Sequence, residues 1–302
     1  MSEKYEGFFD PFAVFSSQQA TYPEGDADHG GDDNYPEPAR RNSLNVVAKL
    51  FWAQDGGPIR TIIDGRKTRP TGTFHALKGG ARAMPWESKL ERMAMCMADL
   101  SSRVHYLLAQ PHRLEINVRG NRGKSLIYFP DLLLQVHPSF VEDLRNGMPF
   151  SQAARVPAPR EVPSHRLQNL ILEIKADDDP RDNDPVYQRK LSLAEELYSR
   201  RGCAFFKIRK KEHLGKEFSD LARRADLNKF VPIDERDYQT CLSRFGGRDT
   251  IDRAGLERAF GGGPLSRAKV FGLHYRRFIS IDFATRAAGN CPVHLISQGG
   301  AR

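Results

Sequence analysis

One short segment, residues 170–175 (LILEIK), constrains this chain more than any other. Its aliphatic residues predict a buried β-strand, and because strand side chains alternate between two faces, Glu173 and Lys175 share one face while the leucines occupy the other. Upstream, the segment 128–134 (YFPDLLL) predicts a second strand region that carries Asp131 directly after a proline. The two segments form a PD…ExK pattern, which predicts two carboxylates and one ammonium close together on a sheet.

This set of side chains suits the hydrolysis of a phosphodiester. That reaction needs an activated water, a neutralised phosphate and a stabilised leaving oxygen, and a hard divalent cation held by carboxylates supplies all three. We therefore predict a Mg²⁺ site, with Mn²⁺ as the substitute, formed by Asp131, Glu173 and the backbone carbonyl of Ile174. Lys175 is expected to orient or deprotonate the attacking water, the latter only with a lowered pKa.

A third acid is expected on a helix before these strands. Apolar residues at helical spacing predict an amphipathic helix from about Trp86 to Leu100, with Pro85 in its first turn. Glu87 and Glu91 lie one turn apart on its adjoining face.

The remaining pattern predicts an α/β fold around a mixed sheet. Strands are expected at Val104–Leu108, at Leu114–Val118, and at Leu126–Phe129 running into Leu132–Val136. A proline-rich stretch, Pro138–Pro163, interrupts before the ExK strand. A helix at Val186–Arg200 and a strand at Ala204–Ile208 follow.

The C-terminal part has a different pattern. Helices at Ile233–Phe245, Asp252–Phe260 and Leu265–Tyr275, followed by two short strands, predict a winged helix-turn-helix. We therefore expect an acidic disordered tail over residues 1–42, a nuclease domain over 43–225 and a winged-helix domain over 226–302. The basic helix 265–275 is equally compatible with DNA and with protein contact.

The charge distribution indicates a polyanionic partner. Residues 1–38 contain nine acids and one lysine, so the rest of the chain carries a net charge of +16 within a total of +8. Neutralisation of phosphates by Lys and Arg provides most sequence-independent affinity for nucleic acids. DNA is thus the expected partner, although a merely basic protein has the same composition.

Other classes of protein are less compatible with the sequence. The four cysteines are widely spaced without a CxxC or CxH pattern, which argues against zinc or iron–sulfur sites and fits a reduced, cytoplasmic setting. We find no apolar run long enough to cross a bilayer and expect no membrane association.

The chain resembles the TnsA-type transposon endonucleases. The resemblance rests on the helix start ESKLE at 87–91, the pair Gln110-Pro111, and the PD and ExK strands in that order. It covers about residues 44–215 by motif and the C-terminal part by architecture alone. It implies a restriction-endonuclease-like PD-(D/E)xK domain followed by a winged helix.

The resemblance also implies a set of catalytic residues and partners. The catalytic residues fall on Glu91, Asp131, Glu173 and Lys175, with Glu91, Asp131 and Glu173 as metal ligands and Glu87 in reserve for the helical acid. The implied activity is Mg²⁺-dependent cutting of one strand at transposon ends. It would proceed beside a DDE-type transposase and an AAA+ ATPase regulator.

Two alternatives remain at this point. The chain is compatible with a stand-alone nuclease of restriction or resolvase type, and with a nuclease-fold adaptor that binds DNA without cutting it. Asp177-Asp178-Asp179 is interpreted as a solvated or capping turn, with an outer-sphere metal role as the alternative. Gln188 is interpreted as a surface residue, with a phosphate or water contact as the alternative.

Overall fold

The computed structural model describes residues 46–60, 70–118, 125–158, 163–285 and 291–296. The predicted acidic tail, residues 1–42, lies outside them, as do residues 66–69, whose sequence RKTR is basic. The described residues from Val47 onward form one compact unit. Within the described residues helices and strands are mixed, which confirms the α/β class.

The strands within the described residues form four sheets. Their bounds are β1 (Val46–Trp52), β2 (Gly72–His75), β3 (Ala83–Trp86), β4 (Val104–Ala109), β5 (His112–Val118), β6 (Leu126–Tyr128), β7 (Leu132–Val136), β8 (Gln168–Lys175), β9 (Ala204–Arg209), β10 (Thr250–Asp252), β11 (Ile279–Ile281) and β12 (Pro292–Leu295). The largest sheet has the order β4-β7-β8-β9, and the others are β1-β5-β6, β2-β3 and β10-β12-β11.

Nine α-helices occur in the described ranges. They are α1 (Lys89–Leu100), α2 (Pro138–Arg145), α3 (Phe150–Ala153), α4 (Pro185–Arg200), α5 (Lys210–His213), α6 (Lys216–Ala225), α7 (Glu235–Phe245), α8 (Arg253–Ala259) and α9 (Gly263–Tyr275).

The four-stranded sheet is mixed and buried at its centre. Strand β7 pairs antiparallel with both β4 and β8. Strand β8 pairs parallel with β9, and the chain between these two strands contains α4. All five residues of β7 and the last six of β8 are buried. Continuous apolar strands of this kind are typical of a sheet covered on both faces. The predicted strand at Leu170–Lys175 is thus confirmed, within a longer β8.

Three local predictions are wrong. Helix α1 begins at Lys89 rather than near Trp86, because Ser88 caps it and Trp86 with Pro85 belongs to β3. The segments 126–129 and 132–136 are separate strands of different sheets, not one continuous strand. The proline-rich stretch contains α2 and α3, each of which begins at or directly after a proline, where the missing N–H removes no helical hydrogen bond.

The residues on either side of the predicted boundary at 225/226 are joined by three hydrogen bonds, two of them buried. His274 Nε2 lies 2.7 Å from the carbonyl oxygen of Leu100, and the hydroxyls of Ser102 and Ser280 are 2.6 Å apart. The Arg277 guanidinium donates to the carbonyl of Ser102 at 2.9 Å. The division into two domains stays a prediction.

Candidate active site

The PD and ExK segments meet where β7 and β8 pair. Leu132 lies opposite Leu172 in the antiparallel register, and Asp131 directly precedes the one residue of this pair while Glu173 directly follows the other. The backbone N–H of Asp131 donates to the carbonyl of Leu172 at 3.2 Å. The N–H of Ile174 donates to Asp131 Oδ2 at 2.6 Å, which fixes this carboxylate against the end of β8.

The Glu173 carboxylate is held from both sides by tyrosine hydroxyls. Tyr128, from β6, donates to Oε2 at 2.7 Å, and Tyr187, from α4, donates to Oε1 at 2.5 Å. Burial raises the pKa of both tyrosines, with the Glu173 charge adding to the shift, so both hydroxyls keep their protons and act as donors. Glu173 is only 4% exposed, and its orientation is therefore set before any ligand binds.

Lys175 is buried against Glu173. Its side chain is 1% exposed, and its Nζ lies 2.9 Å from Glu173 Oε1 and 3.4 Å from Asp179 Oδ2. The ammonium also donates to the hydroxyl of Tyr187. The sequence predicted Glu173 and Lys175 on one face of the strand, and the structure holds the lysine in a bonded group with Glu173, Asp179 and Tyr187.

Glu91 reaches the same place from the start of α1. Its backbone N–H donates to Ser88 Oγ at 3.1 Å, while its carboxylate accepts from the Ser88 hydroxyl and from the N–H of Glu87, both at 2.8 Å. This arrangement is a variant of the capping box, in which the acid three residues after the cap bonds back across the helix start. Glu87 instead pairs with Arg60 at 2.7 Å. Of the two predicted helical acids, Glu91 is the buried one.

These acids line one cavity of about 810 Å³. Glu91, Asp131 and Glu173 contribute to its walls, as do the cations Arg181 and Lys190. The cavity therefore combines an acidic region with a basic one. That combination suits a ligand that brings both a metal cation and an anion.

The electrostatics of the cavity favour a bound cation. Burial raises the pKa of Asp131 well above its usual range, and the charges of Glu173 and Glu91 raise it further. Burial also raises the pKa of Glu91, to which the charges of Glu87 and Glu173 contribute. A divalent cation between these carboxylates would relieve the repulsion and favour their ionised forms.

The predicted ligands fit Mg²⁺ better than they fit a metal ion that needs three or more protein side chains as ligands. Within the described ranges, no three His, Cys, Asp or Glu side chains are grouped so as to hold a metal ion. Magnesium usually keeps several waters and is bound through one or two carboxylates together with substrate phosphates. Asp131 and Glu173 match that donor set, and Glu91 lines the same cavity.

The secondary candidates have structural partners. Asp179 caps the short 3₁₀ turn Pro180–Asn183 and accepts two hydrogen bonds from the Arg181 side chain, and Asp178 lines the cavity. Asp177 accepts from the N–H of Lys211 at 3.0 Å. The amide of Gln188 bonds to the carbonyl of Asp182 at 3.2 Å and to the Lys207 ammonium at 3.4 Å.

Sequence reasoning missed two polar residues of this cavity, Tyr128 and Tyr187, and gave no role to a third, Gln110. Tyr128 looks like an ordinary strand residue, and Tyr187 like an ordinary helical one. Gln110 has a left-handed backbone, with φ of 46°, and its buried Oε1 has no hydrogen-bond partner among the described residues. A strained backbone of this kind is concentrated at functional sites. The quoted Gln110-Pro111 pair was the only signal in the sequence for it.

Comparison of the sequence with protein-family models and with curated proteins found no match. No helix in the described part of the chain combines the length and apolar character needed to cross a bilayer.

Proposed function

We propose that this chain is a Mg²⁺-dependent DNA endonuclease of the TnsA type. It would cut one strand at transposon ends beside a DDE-type transposase and an AAA+ ATPase regulator, in the cytoplasm. The observation that carries the proposal is that Asp131 and Glu173 line one cavity where β7 and β8 meet, with Lys175 bonded to Glu173. All four cysteines are free thiols, which fits a reducing compartment.

The finer description of the fold belongs to the same proposal. The mixed sheet β4-β7-β8-β9 with α1 and α4 is compatible with a restriction-endonuclease-like domain. Helices α7 to α9 with the sheet β10-β12-β11 are compatible with a winged helix. The basic charge outside the acidic N-terminal stretch supports DNA as the substrate.

Each residue has a separate task in this proposal. Asp131 and Glu173 would hold Mg²⁺, which when bound would neutralise the scissile phosphate and activate a water. The hydroxyls of Tyr128 and Tyr187 orient Glu173. Lys175 compensates the Glu173 charge from within the protein and acts by electrostatic positioning, because its ammonium is already bonded to Tyr187 and Glu173.

The proposal is tested by assaying nicking of supercoiled DNA with Mg²⁺, with and without the transposase and the ATPase. Asp131→Ala and Lys175→Ala should each abolish nicking and leave the far-ultraviolet circular dichroism unchanged. Asp220→Ala is the matched control, because Asp220 pairs with Lys216 and Arg223 on the surface of α6. Full activity in both active-site variants would remove the catalytic assignment.

The same assay distinguishes the proposed complex from a stand-alone nuclease. A protein that is inert alone and nicks once both partners are added supports the transposition complex. Cutting by the isolated chain favours the stand-alone enzyme. Binding of DNA without cutting under any of these conditions favours the adaptor.

A further inference from the structure

Three cations surround the ring of Tyr187. Lys175 Nζ lies 4.3 Å from the ring centroid, Lys190 Nζ 4.9 Å and the Arg181 guanidinium carbon 5.1 Å. Cations at these distances are attracted by the electron-rich face of the ring. They also repel one another, so a group of this kind favours the binding of anions nearby.

Two of the three cations are neutralised by acids of the chain. Lys175 contacts Glu173 and Asp179, as described above. Arg181 forms two hydrogen bonds with Asp179, Nε to Oδ1 at 3.0 Å and Nη2 to Oδ2 at 2.7 Å. Both charges are thus compensated within the protein.

Lys190 differs from the other two cations. It lies one turn after Tyr187 on α4 and lines the cavity that contains Asp131 and Glu173. No acid among the described residues lies within ion-pair distance of its ammonium, whose described contact is the Tyr187 ring. The charges of Glu173 and Asp184 act on this ammonium only from beyond ion-pair distance. A half-buried ammonium on a cavity wall, beside two other cations and without an ion-pair partner, is available to an anionic ligand.

A phosphodiester is the anion that this cavity suits. It brings a negative oxygen for the ammonium, and its other oxygens can approach a cation held by the acids of the same cavity. A lysine binds phosphate as a compact point charge and needs no fixed planar geometry. One group can therefore bridge the acidic and the basic parts of the cavity.

We propose that Lys190 forms a phosphate-binding subsite, in which its ammonium contacts a non-bridging oxygen of the DNA backbone beside the scissile bond. This subsite rests on the proposed function, since it assigns the ligand of the same cavity. Lys190 acts on binding of the substrate, whereas Asp131 and Glu173 act on the metal. The two assignments can therefore fail separately.

The test measures binding of a short DNA duplex without divalent metal at a series of salt concentrations. Lys190→Ala should weaken binding about tenfold and lower the slope of log K against log salt by about 0.9, the value for the loss of one phosphate contact. Lys190→Arg should retain the slope. Thermal unfolding of each variant checks that the fold is intact, and alanine is the best helix former.

Arg189→Ala is the matched control. It removes one positive charge from the same helix, at an exposed position about 100° around the helix axis. The slope for this variant should stay at the wild-type value. Equal slopes for Lys190→Ala and Arg189→Ala would overturn the subsite.

Two further arms separate other causes of failure. Calorimetry with inorganic phosphate shows whether the site takes free phosphate. Phosphate binding that depends on Lys190, with unchanged duplex binding, would overturn the DNA assignment. If the wild type nicks DNA and Lys190→Ala does so with the same rate and affinity, the subsite is removed and the endonuclease stands. No duplex binding by the wild type would overturn the subsite, and nicking in the presence of the transposase and the ATPase would still support the endonuclease.

Discussion

The two tyrosine hydroxyls that hold Glu173 make unequal contributions to stability. Tyr187→Phe also removes the hydroxyl that accepts from Lys175, but the Lys175 ammonium keeps Glu173 Oε1 at 2.9 Å and Asp179 Oδ2 at 3.4 Å, so neither charge is left without a partner. In Tyr128→Phe, Glu173 Oε2 loses the one donor that the described residues give it. A hydrogen bond to a charged group contributes about 1.5–3 kcal/mol, and leaving a buried charged acceptor without a donor costs the upper part of that range.

We therefore expect Tyr128→Phe to lower the free energy of unfolding by about 3 kcal/mol and Tyr187→Phe by about 1.5 kcal/mol. The assay is urea unfolding in a chelator, repeated with excess Mn²⁺. The metal should reduce the deficit of Tyr128→Phe in particular, because a cation bound to Glu173 takes the place of the lost donor.

Tyr106→Phe is the control for the loss of a hydroxyl. Tyr106 lies in β4, is partly exposed and has no described hydrogen-bond partner for its hydroxyl, so its substitution should change stability by less than about 0.5 kcal/mol. A larger loss for Tyr187→Phe than for Tyr128→Phe in the chelator would refute the reasoning. So would a metal effect that is equal in all three variants.

Three further predictions concern the acids of the cavity. Because its folded pKa is raised, Asp131 binds more protons in the native than in the unfolded state, so metal-free stability should fall as pH rises from about 4. Urea unfolding across pH checks this, and an increase of stability over that range would contradict it. Asp131→Asn should flatten this dependence on pH and raise the metal-free stability at neutral pH. It should also abolish Mn²⁺ binding in calorimetry. Mn²⁺ binding by this variant at wild-type affinity would remove Asp131 as a ligand. Ser88→Ala removes the cap of α1 and the hydroxyl donor to Glu91, and should cost about 1 kcal/mol in urea unfolding. An unchanged value would mean that the cap contributes nothing.

The strands of the site could be predicted from sequence because each carries its own local signal. The alternation in residues 170–175 predicted which side chains share a face, and the acid next to a proline marked the start of β7. The contacts between these strands depend on pairing between residues that are far apart in the sequence. Tyr128 meets Glu173 because the chain leaves one sheet at β6 and enters another at β7, and nothing local in residues 126–136 marks that change.

Prolines and short polar residues were the other source of error. The sequence predicts an interruption over Pro138–Pro163, yet Pro138 and Pro149 both stand at helix starts. Ser88 with Glu91 is a capping pattern that marks the start of α1, whereas Pro85 lies in β3. The burial of Lys175 could not be predicted, because it depends on Tyr187 in α4 and on Asp179 in the turn before it.

A crystal structure with Mn²⁺, with the ion located by its anomalous scattering, tests the central claim most directly. We predict one peak in the cavity, in contact with a carboxylate oxygen of Asp131 and one of Glu173. An empty cavity at saturating Mn²⁺, or an ion bound only to acids elsewhere on the chain, would contradict the assignment of this cavity as a metal-dependent active site.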